Sequence, residues 1–300
     1  MDPDALEKAC RALLQMPPAG VVIFTGFHIP TAQPPGPETD GPPGALFLAA
    51  ALCRLGYRVA LAAEGECLPA LAAGLAFRGQ GEVALLETPP GHPDPESILV
   101  QVEALIGPCT HLVAVEKAGP SHTQETLRAQ PGFLQGDLHK FLREVPRDCQ
   151  GRGHTMHGRD ITAQTAPVAS LFDGAFCQRH GLIRLGIGDG GNEIGMGCIP
   201  WRTLAELVPG RIACATEVDH LVVAGVSNWG AYALGLGALA LRELEPALDA
   251  ARELALLELL VDGGGLVDGY QGLRQATVDG LPWALHADII QDLTSCLVPP

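Results

Sequence analysis

A glycine-rich run at residues 186–197 contains the side chains of this chain that are best suited to chemistry. Its sequence is Gly-Ile-Gly-Asp-Gly-Gly-Asn-Glu-Ile-Gly-Met-Gly, so that Asp189, Asn192 and Glu193 lie among six glycines. Glycines allow positive φ and a close approach of the backbone to a ligand. Carboxylates beside such a backbone can transfer protons or bind a hard cation. The run therefore predicts a ligand-binding loop.

Polar or glycine-rich sequence also follows four other apolar runs, which end near residues 24, 61, 115 and 226. In a parallel sheet the carboxyl ends of the strands lie along one edge, where ligands bind. We therefore expect a single site to which all five loops contribute. The candidates in these loops are Gly26, Glu38, Asp40, Glu64, Glu116, Lys117, Gly188, Gly190, Gly191, Asn192, Ser227 and Asn228.

Two further segments add candidate residues. Residues 151–161 are rich in His and Arg, and Arg159 lies in this segment. Arginines in such loops bind carboxylates in a bidentate manner, although the segment is equally typical of a solvated loop. Near the C-terminus the unit Val-Asp-Gly occurs at residues 267–269 and again at 278–280. Such units are typical of turns after a helix, and we expect them, with Asp268, to line the pocket.

The candidate residues also have ordinary structural interpretations. Glu38 and Asp40 are typical of a turn before a helix that begins with proline. Ser227 and Asn228 are typical helix caps. The Glu-Lys pair after the apolar run that ends near residue 115 could be a surface ion pair of little energetic value. Only the convergence of the five loops favours function over these interpretations.

Residues 186–191 formally match the Gly-x-Gly-x-x-Gly fingerprint of dinucleotide-binding sites. That fingerprint requires a helix directly after the last glycine, but Gly195, Gly197 and Pro200 interrupt one here. A loop for a small molecule or a metal is therefore the better interpretation. A nucleotide-dependent enzyme that uses residues 186–197 is kept as an alternative.

Short apolar runs alternate with helical patterns along the chain. The predicted strands are at residues 21–24, 57–61, 83–86, 111–115, 182–187, 212–214 and 221–226. The predicted helices are at residues 43–55, 68–77, 95–106, 166–180, 231–243 and 246–260. This pattern indicates an α/β fold with a doubly wound, mostly parallel sheet and helices on both faces. We expect one domain over residues 1–300, and residues 145–165 are where two lobes would divide.

Composition excludes several classes of partner. The chain has 300 residues and a net charge of −15, so neither a nucleic acid nor an anionic membrane surface is an expected partner. Its apolar runs are much shorter than the roughly 20 residues of a membrane span. Nine cysteines without a Cys-x-x-Cys pair indicate reduced thiols. With no transit-peptide pattern at the N-terminus, the expected location is cytoplasmic.

Five motifs together resemble the C-terminal domain of the D-glutamate cyclase family. They are Thr-Gly-Phe at 25–27, Glu-Thr-Asp-Gly-Pro at 38–42, the run at 186–197, Ser-Asn-Trp-Gly at 227–230 and Val-Asp-Gly at 267–269. The resemblance extends over nearly the whole chain. It implies a hydro-lyase that converts D-glutamate to 5-oxo-D-proline and water. Vertebrate members are mitochondrial and have an additional N-terminal domain, so this chain resembles a stand-alone form of their later part.

The implied reaction requires an acid and a base. The α-ammonium group must lose a proton before its nitrogen attacks the γ-carboxyl carbon, and Glu193, Glu38 or a histidine could be the base. The departing oxygen must gain a proton, and Asp189 or Asp40 would supply it if burial raised the pKa of that carboxyl. These four residues are the predicted catalytic set.

The γ-carboxylate is a poor electrophile, so its charge must be neutralised. Lys117 and Arg159 are the candidates. The family has Met-Arg-Gly where this chain has Met-His-Gly at residues 156–158, which shifts the anion-binding role to Arg159 or Arg152. The backbone N–H groups of residues 188–191 could bind the oxyanion.

A divalent cation is the alternative solution to the charge problem. Its predicted ligands are Asp40, Glu64, Asp189 and Glu193, because hard cations prefer oxygen donors. A non-catalytic module that binds a small acid is the alternative to an enzyme. In either case the expected partner is a small amino acid, and the sequence is compatible with a homo-oligomer.

Overall fold

The computed structural model describes residues 3–91, 94–207, 212–245 and 248–296. A six-stranded sheet and a two-stranded ribbon account for the strands of this part. In chain order they are β1 (Gly20–Phe24), β2 (His28–Ile29), β3 (Gly36–Pro37), β4 (Arg58–Ala63), β5 (Ala84–Glu87), β6 (Cys109–Val115), β7 (Ile183–Gly188) and β8 (His220–Val223).

The six-stranded sheet has the order β5-β4-β1-β6-β7-β8, and all of its neighbouring strands are parallel. The chain starts in the middle at β1, extends outward through β4 and β5, and then returns to add β6, β7 and β8 on the other side. This arrangement is doubly wound, and it confirms the predicted fold class. β2 and β3 pair separately in an antiparallel ribbon.

Helices cover both faces of this sheet. In the described residues they are α1 (Ala5–Leu14), α2 (Pro42–Arg54), α3 (Leu68–Arg78), α4 (Pro95–Ile106), α5 (Gln124–Ala129), α6 (Gln135–Glu144), α7 (Gly174–His180), α8 (Trp201–Leu207), α9 (Ser227–Ala240), α10 (Ala250–Asp262) and α11 (Trp283–Ser295). None of them is long and apolar enough to span a bilayer.

Strand β1 shows why the sequence forms a sheet buried on both sides. All five of its residues are buried, and they alternate between the two faces. Val21 and Ile23 pack in a cluster with residues of α1, α2, α3, α9 and α10. Val22 and Phe24 pack in a second cluster with residues of α4 and α7. An apolar run without polar alternation is therefore the pattern that this position requires.

A close contact between α2 and α9 fixes the segments that later form the site. A Cβ atom at Gly44 would lie 2.8 Å from the Cα atom of Asn228 and 2.9 Å from the Cβ atom of Ala231. Only glycine permits this approach. The N-terminal ends of α2 and α9 consequently lie against each other beside the carboxyl edge of the sheet.

The structure corrects several predicted elements. Residues 212–214 are not a strand: Cys214 makes one isolated bridge to Ser121, and its N–H group donates to the carbonyl of Gly191, so the segment crosses the glycine loop. Residues 166–180 form a 3-10 turn (Val168–Phe172) and then α7, because Asp173 caps α7 by accepting from Phe176 N.

Other boundaries also differ. Helix α9 begins at Ser227, four residues before the predicted start, and α10 begins at Ala250 with Asp249 as its cap. The predicted start of α10, residues 246–247, lies outside the described residues. Helices α1, α5, α6, α8 and α11 were not predicted. The single domain over residues 1–300 stays a prediction.

Candidate active site

A cavity of about 350 Å³ opens at the carboxyl edge of the sheet. Glu116, Asp189 and Ala224 line it and directly follow β6, β7 and β8. Glu38 lines it and directly follows β3. The loops after β1, β6, β7 and β8 therefore meet at this edge as predicted, whereas the loop after β4, with Glu64, does not contribute to the lining. The polar lining consists of Glu38, Glu116, Thr155, His157, Asp189, Asn192, Glu193 and Asp279, and the other lining residues are Phe27, Ile29, Met156, Ala224, Gly225, Gly269, Tyr270 and Leu281.

The glycine loop folds around the carboxylate of Glu193. The N–H groups of Gly190 and Gly191 each donate to one oxygen of this carboxylate, both at 2.8 Å. The turn requires glycine at residues 191 and 195, where φ is +94° and +110°. Two of the N–H groups expected to stabilise an oxyanion are thus already bonded within the protein.

The glycine loop also lacks the helix that a dinucleotide fingerprint requires. It continues into a single 3-10 turn, Met196–Cys198. A phosphate group would need free N–H groups at a helix N-terminus. Because Gly190 and Gly191 donate to Glu193, this geometry does not favour the nucleotide alternative.

Asp40 holds the N-terminus of α9 from a distant part of the chain. Its carboxylate accepts from the N–H groups of Ser227 at 2.7 Å, Asn228 at 2.8 Å and Gly41 at 2.9 Å. The first N–H groups of a helix have no partner within the helix, so an external carboxylate satisfies them. Burial raises the pKa of Asp40 well above its usual value, Asp279 adds to this, and the three donors oppose it.

The side chain of Asn228 completes this connection. Its Oδ1 atom accepts from Gly44 N at 2.7 Å and Gly41 N at 3.1 Å, and its Nδ2 atom donates to the carbonyl of Thr39 at 3.0 Å. Asn228 therefore joins the two helix N-termini. The sequence suggested that it caps its own helix, α9, and the structure shows that its side chain caps α2. Its predicted role in substrate binding stays a prediction.

Glu116 occupies an unusual backbone position, with φ of +46°. Its N–H group donates to the carbonyl of Ile187, and its carboxylate accepts from Ser227 Oγ at 2.6 Å. A non-glycine residue in the left-handed region is uncommon and is often found at functional sites. The turn directs the carboxylate of Glu116 into the cavity.

Three of these acids form a group that could hold a cation. Asp40, Glu116 and Asp189 each offer a carboxylate oxygen, and these oxygens lie within 4.8 Å of one another. Oxygen donors at such spacing suit a hard divalent ion. The group differs from the predicted set, because Glu116 is included whereas Glu64 and Glu193 are not.

Burial raises the pKa values of Asp189, Asp279 and Glu38, which line the cavity. It raises the pKa of Asp189 to about 10, with Asp40 and Glu193 as further causes. It raises the pKa of Asp279 to about 6, with Asp268 as the next cause. The pKa of Glu38 is also well above its usual value, because of burial and then Asp279. Without a bound cation these carboxyls therefore share protons.

The structure places Lys117 and Glu64 away from the cavity lining. The ammonium group of Lys117 bonds both carboxylate oxygens of Glu64 and also the carbonyl of Gly26, at 3.2 Å. The N–H group of Ala166 donates to the same carboxylate at 2.7 Å. Because a buried ammonium group needs a counter-charge, Lys117 pairs inside the protein. This placement differs from the predicted roles of Lys117 in substrate binding and Glu64 in metal binding.

Arg159 and Asp268 are likewise absent from the lining. Arg159 is exposed, and the nearby Arg152 pairs with Asp160. The carboxylate of Asp268 accepts four hydrogen bonds from its own turn. These bonds fix the turn from which Gly269 and Asp279 reach the cavity.

Asp279 is the lining acid that was not among the predicted site residues. Its φ is +54°, and its carboxyl exchanges a hydrogen bond with that of Asp189. The repeated Val-Asp-Gly unit was the signal, since it predicted that this segment lines the pocket. It did not show which of its two acids faces the ligand.

Comparison with known proteins places this chain in a family. The family model described as D-glutamate cyclase-like, C-terminal, matches residues 1–130 and 142–294. The chain belongs to this family. The D-glutamate cyclase, mitochondrial, of Homo sapiens is 29% identical over 331 residues, which cover 97% of this chain. This D-glutamate cyclase-like chain spans 47% of the length of that relative.

All five motifs of the resemblance have a place in this D-glutamate cyclase-like structure. Four of them contribute residues to the cavity lining, including those at residues 25–27, 38–42 and 186–197. The motif at 227–230 begins α9, and the motif at 267–269 ends in Gly269, which lines the cavity. The family motifs therefore coincide with the acid-lined cavity and its supports.

Proposed function

We propose that this chain is a hydro-lyase that cyclises D-glutamate to 5-oxo-D-proline and water. The supporting observation is the group of buried carboxyls in one cavity of a D-glutamate cyclase-like chain. Its human relative is named D-glutamate cyclase. Because the chain spans only 47% of that relative, catalysis by this part alone belongs to the proposal.

The base in this proposal is Glu38. It is buried, lines the cavity, and has a pKa raised by burial and by neighbouring acids. A raised pKa makes the ionised carboxylate a stronger base toward the α-ammonium group of the substrate. Glu193 is less suited, because both of its oxygens accept N–H donors of the glycine loop.

The acid in this proposal is Asp189. Burial and the nearby carboxyls raise the pKa of Asp189 to about 10, so it holds a proton at neutral pH. It can give this proton to the oxygen that leaves the γ-carbon. The substrate nitrogen loses two protons, and these combine with the departing oxygen to form water. The reaction therefore needs no further reactant. Asp279, which hydrogen-bonds Asp189, can return the proton.

Charge balance is the remaining requirement. The substrate has two carboxylates, and His157 is the one basic side chain among the described residues that line the cavity. A divalent cation held by Asp40, Glu116 and Asp189 would supply positive charge beside the reacting carboxylate. This cation is the alternative to proton donation by Asp189, because a carboxylate that binds a cation cannot also hold the proton. The small amino-acid partner, the cytoplasmic location and the homo-oligomer stay predictions.

The proposal is tested with the purified chain and D-glutamate, with Mg²⁺ or Mn²⁺ and with a chelator. We expect 5-oxo-D-proline, detected by chiral chromatography, and at least about a hundredfold loss of rate in Glu38→Gln. The matched control is Glu87→Gln, an exposed acid at the end of β5. Saturable binding without product would instead identify the non-catalytic module. Product formation unchanged in Glu38→Gln would contradict the assigned base.

A further inference from the structure

The cavity has an apolar part that D-glutamate would leave unused. Phe27, Ile29, Met156, Ala224, Tyr270 and Leu281 line it beside the acids. The volume of about 350 Å³ lies in the range, roughly 300–1,000 Å³, of sites for ligands larger than a single amino acid. D-glutamate has two methylene groups and no other apolar surface. The site is therefore larger and more apolar than D-glutamate requires.

Two side chains of this part are exposed although they are large and apolar. Met156 is 39% exposed and Tyr270 is 70% exposed, and they come from different loops. Phe27 and Ile29 are buried in a small cluster with Ile161 and Val267, so the inner wall is held in place. An apolar group in the cavity would cover Met156 and Tyr270 against this fixed wall.

The charge of the cavity lining also favours a substrate other than D-glutamate. Glu38, Glu116, Asp189, Glu193 and Asp279 all line the cavity, and the described lining has one basic side chain, His157. A substrate with a free γ-carboxylate adds a second negative charge to this site. A substrate in which the γ-carboxyl is an amide has one negative charge fewer. Its carbonyl carbon is electrophilic without a cation that neutralises a carboxylate.

We propose that the preferred substrates are γ-glutamyl amides of apolar amines. The glutamyl part of the substrate lies beside the acids of the cavity lining, and the amine part lies against Phe27, Met156 and Tyr270. This inference rests on the proposed function, since it uses the same cyclisation and the same acid and base.

The reaction balances without an additional reactant. The α-nitrogen forms a bond to the γ-carbonyl carbon, and the bond from that carbon to the amide nitrogen breaks. Glu38 takes a proton from the α-ammonium group, and the carboxyls of the lining pass this proton to the departing nitrogen. The second proton of the α-nitrogen also passes to the amine through the carboxyls. The products are 5-oxoproline and the apolar amine in its protonated form, and no water is consumed or formed.

The test compares D-glutamate, γ-D-glutamyl methylamide and γ-D-glutamyl benzylamide with the same enzyme in the same buffer. The two amides have similar leaving groups and differ mainly in apolar size. We expect kcat/KM for the benzylamide to exceed that for the methylamide at least about tenfold, because the ring buries apolar surface. Both amides should exceed D-glutamate. Lactam formation is followed by chromatography for all three substrates.

Variants locate the effect in the cavity. Met156→Ala and Tyr270→Ala should reduce the ratio of kcat/KM between benzylamide and methylamide at least about threefold each. The matched control is Leu273→Ala, a 53% exposed residue of the same C-terminal turn that is outside the lining, and it should leave the ratio unchanged.

The outcomes separate this inference from the proposed function. Turnover of D-glutamate with a higher kcat/KM than either amide overturns the inference and leaves the proposed function standing. Equal values for the two amides also overturn it. If none of the three substrates yields lactam, the proposed function fails, and the inference fails with it.

Discussion

The carboxyl of Asp189 lies within hydrogen-bonding reach of two other carboxyls, those of Glu193 and Asp279. Two carboxyls can share a hydrogen bond only if one of them holds a proton. Burial and the neighbouring acids raise the pKa of Asp189 to about 10, so its carboxyl holds the proton in the folded protein over the neutral range. The unfolded chain ionises the same group near pH 4. This difference links the stability of the protein to pH.

The direction of the linkage follows from proton counts. Between about pH 4 and the raised pKa of Asp189, about 10, the folded state binds one more proton at this group than the unfolded state. The free energy of unfolding therefore falls as pH rises through this window, by up to about 1.4 kcal/mol per pH unit for each such group.

Asp189→Asn should remove this pH dependence. Asparagine resembles the protonated carboxyl and cannot ionise, so the variant should unfold at a higher temperature than the parent protein at pH 8. The difference should shrink to nothing near pH 4. Thermal unfolding in chelator-containing buffers from pH 4 to 9 measures it. A variant that melts below the parent at pH 8 would show that Asp189 is ionised in the folded state.

At the scale of elements, α2 and α9 are joined by two side chains. Each of them accepts hydrogen bonds from N–H groups at the beginning of the other helix. Asp40 accepts from the first N–H groups of α9, while Asn228 accepts from Gly41 and Gly44 at the beginning of α2. The acid that contributes to the candidate cation group is thus also a helix cap. Its geometry is set by helix packing and not by a flexible loop.

Asn228→Ala should destabilise the protein more than the loss of an ordinary helix cap. It leaves buried partners at Gly44 and Thr39 without hydrogen bonds and removes one of the two acceptors of Gly41 N, and we expect a loss of about 3 kcal/mol. The control is Asp249→Ala, which removes the cap of α10 at Arg252 N and should cost about 1 kcal/mol. Urea unfolding measures both. Equal losses would contradict the joining role of Asn228.

For the whole molecule, the dominant physical property is its negative charge. The net charge is −15, and buried acids in one cavity add to a field that already repels anions. Monovalent salt screens this repulsion between exposed charges. A divalent cation that binds the folded state would stabilise it by mass action as well. The two effects can be separated at equal ionic strength.

MgCl₂ or MnCl₂ should therefore raise the melting temperature more than NaCl at the same ionic strength. A cation at about 100 times its dissociation constant adds roughly 2.7 kcal/mol to the free energy of unfolding. Glu116→Gln should abolish the excess, because it removes one of the three candidate ligands, whereas Glu87→Gln should retain it. Identical effects of the salts on the parent protein would mean that protons, and not a cation, balance the cavity.

Much of the fold and part of the site could be predicted from local sequence. The apolar runs around Val21, Leu112 and Leu185 predicted buried parallel strands, and the sheet contains all three. The placement of Glu116 and Asp189 at one cavity followed from predicted strand ends, whereas Glu38 directly follows β3, a strand that was not predicted. Short or polar helices such as α5 and α6 were missed, since their burial pattern depends on neighbours that the local sequence does not show.

The partners of the charged groups could not be predicted in the same way. Glu116 and Lys117 are adjacent in sequence, yet the first lines the cavity and the second pairs with Glu64, 53 residues away. The positive φ of Glu116 turns these neighbours in different directions. Periodicity records which positions are buried, but it contains no information about which distant acid meets which base.

Composition and periodicity were thus sufficient for the sheet and for the edge at which the cavity opens, because burial of apolar strands and the direction of parallel strands are local properties. The family followed from its motifs. Folding alone assigned Asp40 to the N-terminus of α9, Lys117 to Glu64 and Asp279 to the cavity. A carboxylate is positioned by whatever donors the folded chain brings to it, and those donors lie far away in the sequence.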